Sequence, residues 1–184
     1  MKYIYLLLIF PLLFCGCDKK DVSYGWGAPE LSIILNDFSG QNLMPFSTDN
    51  LVETLRLEHE VTYEANGTQY IADKENSINS RLLVSKLDYI SGNPIALNPL
   101  PNDFGYKLIE VAKSTSSYKC HAKVSLKCPD IFRDKNEHII EMDLEYCGDK
   151  RYEILQVVKG TLQVDGITAE CIDYKVYKIN LNIK

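Results

Sequence analysis

The chain has 184 residues, of which 46% are hydrophobic and 10% aromatic, and its formal net charge is −5 at pH 7. This apolar content argues against a disordered chain, and the length suits one domain. Acidic and basic residues are mixed along the chain, with 25 of the former against 20 of the latter. This balance argues against nucleic-acid binding and against a polybasic patch for anionic lipid.

At the amino end, an apolar run stops at two cysteines. The run YIYLLLIFPLLF is shorter than the roughly 20 apolar residues that a membrane-spanning helix needs. Gly16 is the small residue that a signal peptidase requires before its cleavage site, whereas Phe14 before Cys15 is too bulky. We therefore predict a signal peptide over residues 1–16 and lipidation of Cys17, with a plain secretory signal as the alternative.

The next segment, residues 17–28, is charged and rich in glycine, which is typical of a tether. Two acyl chains on Cys17 would give this tether durable membrane anchoring. Tyr24 and Trp26 are candidates for stacking on the rings of a sugar ligand. The alternative role for these aromatic side chains is to pin the tether to a single domain that spans residues 29–184.

The first half of that domain shows an alternating pattern. LSIIL predicts a strand, and residues 54–63 alternate apolar and polar side chains up to the dipeptide Asn66–Gly67. Asn-Gly favours a two-residue hairpin turn, which places Tyr63 opposite Tyr70. Residues 73–88 show mixed periodicity and fit either a helix or a strand. For residues 88–105, which contain three prolines, we predict a long irregular connection of the kind that is often functional.

The second half contains the most regular pattern. KCHAKVSLKC and HIIEMDLEY alternate strictly, which predicts a hairpin in which Val124 pairs with Met142 and His121 with Glu145. The dipeptide Asp165–Gly166 predicts another tight turn, and the last eight residues predict an apolar strand. Roughly nine to eleven short strands indicate an all-β fold, which we predict to be an immunoglobulin-like β-sandwich rather than a barrel.

Four cysteines remain after Cys15 and Cys17, and an exported protein permits disulfides. Alternation places Cys120 on the apolar face and Cys147 on the polar face, so these two are not expected to pair directly. Cys171, predicted on a buried face, is the better partner for Cys120 or Cys128. Four buried thiols that act as small apolar residues are the alternative.

No known catalytic motif is present in the sequence. Glu141, Asp143 and Glu145 recur on alternate positions, which is typical of a solvated sheet face balanced by opposing bases. Cys120 and His121 point to opposite faces of one strand, so they are not expected to share a zinc ion. We expect no catalytic residue, no metal ligand and no cofactor.

The segment FCGC resembles a bacterial lipobox, and the chain resembles the small lipoproteins that Bacteroidota export in large numbers. YGWGAPE and LKCPDIFRDKNEH are similar to segments that recur in such proteins. The resemblance implies an outer-membrane location by lipid anchor, either periplasmic or at the cell surface. Two functions fit this location: a non-catalytic binding or assembly module for a protein or glycan partner, or a hydrolase of cell-envelope or dietary glycan.

Overall fold

The computed structural model describes residues 31–44, 59–70, 83–148 and 154–183. These residues form twelve strands and two helices. The elements are β1 (Ser32–Asp37), β2 (Glu60–Ala65), β3 (Thr68–Tyr70), β4 (Leu83–Lys86), β5 (Ile95–Asn98), α1 (Asn102–Ser114), β6 (Lys119–Lys127), α2 (Pro129–Phe132), β7 (His138–Tyr146), β8 (Leu155–Val157), β9 (Gln163–Val164), β10 (Ile167–Thr168), β11 (Glu170–Asp173) and β12 (Val176–Leu181).

The strands form two sheets. One has five strands in the order β11-β12-β1-β5-β4, and the other has seven, in the order β10-β9-β7-β6-β2-β3 with β8 also paired to β7. The β1–β12 pair is parallel, and the other pairs are antiparallel. The prediction of an all-β sandwich is confirmed, with twelve strands in the described residues against the nine to eleven expected.

A single large core joins the two sheets and α1. Residues such as Ile33 and Leu97 from one sheet and Val124 and Ile140 from the other are fully buried in this cluster. Helix α1 contacts β2, β6 and β7 through its buried side chains. Along β6 and β7 the apolar side chains alternate with polar ones and lie on the inner face, which is the pattern of half-buried sheets that pack together.

The ring of Phe104 on α1 lies against the seven-stranded sheet. Its centroid is 4.8 Å from that of Tyr63 and 5.7 Å from that of Tyr70. The Tyr63 hydroxyl is buried and has no hydrogen-bond partner among the described residues, and burial raises its pKa. These contacts attach α1 to the strands of the first predicted hairpin.

The five-stranded sheet is also covered in part on its outer face. Ile34, Ala96 and Val176 form a second buried cluster there with Leu87. Strand β5 is therefore buried on both faces, which explains why IAL in its sequence is apolar without alternation.

The predicted irregular connection over residues 88–105 is wrong. Strand β5 lies inside it, and α1 begins at Asn102, directly after Pro101 in an extended conformation. The prolines mark the ends of elements here, because proline lacks the amide that a strand interior or helix interior needs. Residues 83–86 are a strand, so the ambiguous pattern at 73–88 is decided for its described part.

Both predicted tight turns are present. Tyr63 lies opposite Tyr70 across Asn66–Gly67, and Val164 lies opposite Ile167 across Asp165–Gly166. All four turn residues have positive φ, between 48° and 78°. This is the backbone conformation that Asn-Gly and Asp-Gly supply at low steric cost.

The β6–β7 hairpin forms with a register two residues away from the prediction. Val124 lies opposite Ile140, and His121 lies opposite Asp143 rather than Glu145. Helix α2 occupies part of the connection, so the strands meet at Leu126 and His138. A two-residue shift changes the partner of each residue but keeps every side chain on its predicted face. The predicted faces are therefore confirmed, while the predicted pairs are wrong.

Candidate functional site

Three of the predicted site residues lie outside the described residues. These are the lipidation candidate Cys17 and the stacking candidates Tyr24 and Trp26. No helix in the described ranges is long and apolar enough to cross a membrane.

The four other cysteines are free thiols that fall into two classes. Cys120 and Cys128 are buried, whereas Cys147 and Cys171 are exposed. The expectation that Cys171 lies on a buried face is wrong, because β11 is the last strand of its sheet in the described residues. Burial raises the pKa of the Cys120 thiol to about 11 and also raises that of Cys128. The two buried thiols therefore stay protonated and act as small apolar side chains.

A cleft of about 400 Å³ opens between the two sheets, beside β8 on one side and the β11–β12 hairpin on the other. We call it the β8–β12 cleft. Its lining residues are Leu31, Leu155, Gln156, Val157, Lys159, Cys171, Tyr174, Lys175 and Tyr177. A concave surface of this size with mostly apolar walls and a few polar groups is typical of a small-ligand site.

The β8–β12 cleft is apolar inside and polar at its edge. Leu31, Leu155 and Tyr177 are each less than 10% exposed, while Tyr174 is 63% exposed. The ammonium group of Lys175 lies 5.0 Å from the centroid of the Tyr174 ring, which is a cation–π contact. Burial, followed by the charge and hydrogen bond of Cys171, raises the pKa of the Tyr177 hydroxyl to about 12. This hydroxyl is therefore neutral at physiological pH.

A second group of polar side chains surrounds His138 at the start of β7. Its Nδ1 lies 2.7 Å from Oδ2 of Asp165, and its Nε2 lies 3.0 Å from Oδ1 of Asp134. The ring of Phe132 stacks on the imidazole at 3.7 Å and 11°. Each ring nitrogen of His138 therefore has a carboxylate oxygen within hydrogen-bond distance.

The backbone holds the two carboxylates of this His138 cluster in place. Asp165 in the turn also accepts the amide of Ile139, and Asp134 accepts the amide of Asn136. The hydrogen bond from His138 is the main cause that lowers the pKa of the Asp134 carboxyl. The cluster thus ties α2, β7 and the β9–β10 turn together through one imidazole.

A third polar group lies on the outer face of the seven-stranded sheet. His121 Nδ1 lies 2.9 Å from Asp143 Oδ1, and Lys119 Nζ lies 3.9 Å from Glu145 Oε1. The side chains in these pairs are 44–50% exposed. This arrangement agrees with the predicted solvated and charge-balanced face, and such exposed pairs contribute about 0–1 kcal/mol each.

Sequence reasoning missed both the β8–β12 cleft and the His138 cluster. The cleft joins Leu31, β8 and the β11–β12 hairpin, which are separate in the sequence, so no local sequence pattern indicates it. For the His138 cluster two signals were available: the four-residue spacing of Asp134 and His138, and the carboxylate of Asp165 in a tight turn. No group of three or more His, Cys, Asp or Glu side chains in the described part of the chain is arranged to hold a metal ion.

Comparisons of this chain with protein-family models, with curated proteins and with solved structures find no match.

Proposed function

We propose that the chain is a non-catalytic binding or assembly module, anchored to the bacterial outer membrane through lipid on Cys17, with a protein or glycan partner. The observation that carries the proposal is the exposed edge strand β11. It ends the five-stranded sheet in the described residues, and all four of its residues are exposed.

Strand β11 presents apolar side chains together with its edge. Ile172 is 38% exposed and Tyr174, in the turn that follows, is 63% exposed. Ile167 on β10, where the chain leaves the other sheet, is 41% exposed. An edge that none of the described strands pairs with, beside exposed apolar side chains, is a favourable place for a partner strand, because main-chain hydrogen bonds supply affinity and alternate side chains supply specificity.

The carboxylates of the His138 cluster favour binding over glycan hydrolysis. A glycosidase needs one protonated carboxyl group and one ionised group on either side of the scissile bond. Here the hydrogen bond from His138 lowers the pKa of Asp134, which opposes the protonated form that a general acid requires. Asp165 is also engaged, by His138 and by the Ile139 amide.

The experiment places a photo-cross-linking amino acid at Ile172 in the full-length chain expressed in its bacterial host. Tyr89, which is 67% exposed and lies before β5, is the matched control position. We expect one discrete adduct from position 172 and none from position 89. The same probe in a Cys17→Ala background should lose incorporation of a fatty-acid analogue, leave the membrane fraction and lose the adduct.

Three outcomes would contradict the proposal. Lipid labelling that survives Cys17→Ala would show that Cys17 is not the lipidated residue. Equal cross-linking at positions 172 and 89 would show that the partner does not bind specifically at the β11 edge. Release of new reducing ends from peptidoglycan or polysaccharide by the purified chain would favour the hydrolase.

A further inference from the structure

The turn between β2 and β3 contains the one asparagine of the sequence that precedes a glycine, Asn66. Asn66 and Gly67 are both exposed, and their φ angles are 48° and 78°. The main-chain nitrogen of a following residue can attack an asparagine carboxamide and close a five-membered ring. Glycine permits this attack most readily, because it has no Cβ to obstruct the nitrogen. The turn therefore brings together two groups that react with each other.

The hydrogen bonds of Asn66 favour attack on its carboxamide. Its side-chain oxygen Oδ1 accepts a hydrogen bond from the main-chain amide of His121 at 2.7 Å. When a nucleophile adds to the carboxamide carbon, negative charge develops on this oxygen. A main-chain amide that already points at the oxygen stabilises the developing charge, as the donors of an oxyanion hole do. The fold thus supplies such a donor at the reacting group.

The attacking nitrogen of Gly67 is accessible. Its amide makes no hydrogen bond with any group in the described part of the chain. A Cβ built at Gly67 meets no atom within 4 Å, so the space beside the residue is open. The pair formed by Ala65 and Thr68 holds the two ends of the turn close together. Gly67 therefore combines an unoccupied amide with open surroundings.

We propose that Asn66–Gly67 is a site of spontaneous covalent modification. The Gly67 nitrogen loses its proton to solvent and bonds to Cγ of Asn66, and the side-chain nitrogen takes up a proton and leaves as ammonia. Water then opens the cyclic imide at either carbonyl carbon, which gives aspartate or isoaspartate at position 66. Water is the co-reactant of both steps. The site goes beyond the partner-binding role of the β11 edge, which belongs to the other sheet.

The two products differ in their effect on the turn. Asn66 is attached to β6 by the His121 amide bond to Oδ1 and by its own amide, which donates to the His121 carbonyl at 2.9 Å. Aspartate retains a side-chain oxygen for the first bond. Isoaspartate routes the main chain through the side-chain carbons and lengthens it by one carbon, so both bonds lose their spacing. Isoaspartate therefore weakens the attachment of the β2–β3 hairpin to β6.

Two other exposed residues with positive φ are comparisons within the same chain. Asn93 has a φ of 44°, but it precedes Pro94, whose nitrogen has no proton to lose. Asp165 also precedes a glycine in a tight turn, but it has a carboxyl group, and both of its oxygens are in hydrogen-bond contacts. Neither residue should react as Asn66 does.

The experiment incubates the purified full-length chain at physiological temperature and mildly alkaline pH and follows its tryptic peptides by mass spectrometry. Trypsin releases residues 57–74 as one peptide, in which Asn66 is the one asparagine. Conversion adds the mass difference between an amide and an acid, and electron-transfer fragmentation distinguishes aspartate from isoaspartate. We expect Asn66 to convert at least about tenfold faster than Asn93, because glycine leaves its nitrogen unobstructed and proline has no amide proton. Isoaspartate at position 165 should form at least about tenfold more slowly than at position 66.

Unfolding tests the contribution of the His121 amide. This donor is lost in urea, so we expect the folded chain to convert at a rate equal to or above that of the chain in urea. A folded chain that converts more slowly than the unfolded chain would show that the turn protects Asn66, and would overturn the proposal.

Matched glycine variants test the attacking nitrogen. Gly67→Asp retains a residue that tolerates positive φ but places a Cβ beside the nitrogen, so conversion of Asn66 should slow at least about tenfold. Gly166→Asp makes the same change in the other tight turn and should leave the rate at Asn66 unchanged. Urea denaturation checks that both variants fold.

The products can be separated and compared. Ion exchange isolates the converted chain through its added negative charge, and the isoaspartate form should melt at a lower temperature than the variant Asn66→Asp. This variant retains the oxygen that accepts the His121 amide. An isoaspartate form as stable as Asn66→Asp would contradict the predicted effect on the turn.

Three further results would overturn the proposal. They are the absence of conversion at Asn66, equal conversion at Asn93, and an unchanged rate in Gly67→Asp. None of them affects cross-linking at position 172, so the proposed function is tested separately.

Discussion

Two tight turns of the seven-stranded sheet are attached to a neighbouring strand by the same pair of hydrogen bonds. The Asn66 amide donates to the carbonyl of His121 at 2.9 Å, and the Asn66 side-chain oxygen accepts the His121 amide at 2.7 Å. Asp165 makes the same two contacts with Ile139, both at 2.8 Å. In each turn a side-chain oxygen takes the place that a main-chain carbonyl has in a regular antiparallel pair.

The turns differ in their remaining side-chain atom. Asp165 has a second carboxylate oxygen, which bonds the buried imidazole of His138, and Asp134 bonds the other nitrogen of that ring. The histidine beside Asn66 instead pairs with Asp143 on an exposed face, with its own side chain 44% exposed. The turn at Asn66 therefore only closes its hairpin, whereas the turn at Asp165 also connects to the segments that contain His138 and Asp134. The contact with the buried His138 should be the stronger one, because burial strengthens a charged hydrogen bond.

Alanine in place of Asp165 or Asn66 should give the largest difference between the two turns in the free energy of unfolding. Asp165→Ala removes a charged hydrogen bond and leaves the Ile139 amide without its acceptor, so we expect a loss of about 3 kcal/mol in the free energy of unfolding. Asn66→Ala should cost about 1 kcal/mol. Urea denaturation measures both values, and Asp165→Asn, which retains an acceptor for Ile139, should fall between them. Equal losses in the two alanine variants would show that the His138 contact adds no stability.

Substitutions at the two turn glycines should instead cost both turns the same free energy of unfolding. Gly67 and Gly166 have φ of 78° and 75°, and a Cβ built at either meets no atom within 4 Å. Backbone strain is then the common cost, and Gly67→Val and Gly166→Val should each lower the free energy of unfolding by about 2 kcal/mol. Asparagine at either position, which tolerates positive φ, should restore part of that loss. Thermal melts identical to wild type would contradict the turn assignment.

The smallest expected effect concerns acid stability. Because the pKa of Asp134 is lowered in the folded chain, its carboxylate stabilises the fold above its unfolded pKa, near 3.9, and that contribution is lost as pH falls through the folded pKa. His138→Phe keeps a ring against Phe132 but removes the donor to Asp134. We expect its loss of stability between pH 5 and pH 3 to be smaller than in wild type.

The control for this acid measurement is His121→Phe, which leaves the contacts of Asp134 intact and should keep the wild-type dependence. Some acid dependence should remain in both variants, because hydrogen bonds from Ser39 and Gln41 lower the pKa of Asp37. If stability depends on pH in the same way in His138→Phe and wild type between pH 5 and pH 3, His138 is not the main cause of the lowered pKa of Asp134.

The local features of the fold could be predicted from the sequence. Alternation in β6 and β7 correctly assigned their inner and outer faces, because successive side chains of a strand point to opposite sides. Asn66–Gly67 and Asp165–Gly166 determined two turns, since few other residue pairs accept positive φ at both positions. Of the candidate site, only individual features could be predicted from the sequence, such as the exposed charges of β7.

Contacts between distant segments were decided by the tertiary structure. The register of β6 against β7 depends on α2, which the alternation of the strands does not encode. Strand β5 is covered on both faces, so its pattern carries no period, and Cys171 is exposed because β11 ends the sheet in the described residues. The β8–β12 cleft and the His138 cluster each join segments separated in the sequence, and such proximity follows from how the sheets pack, not from any local residue pattern.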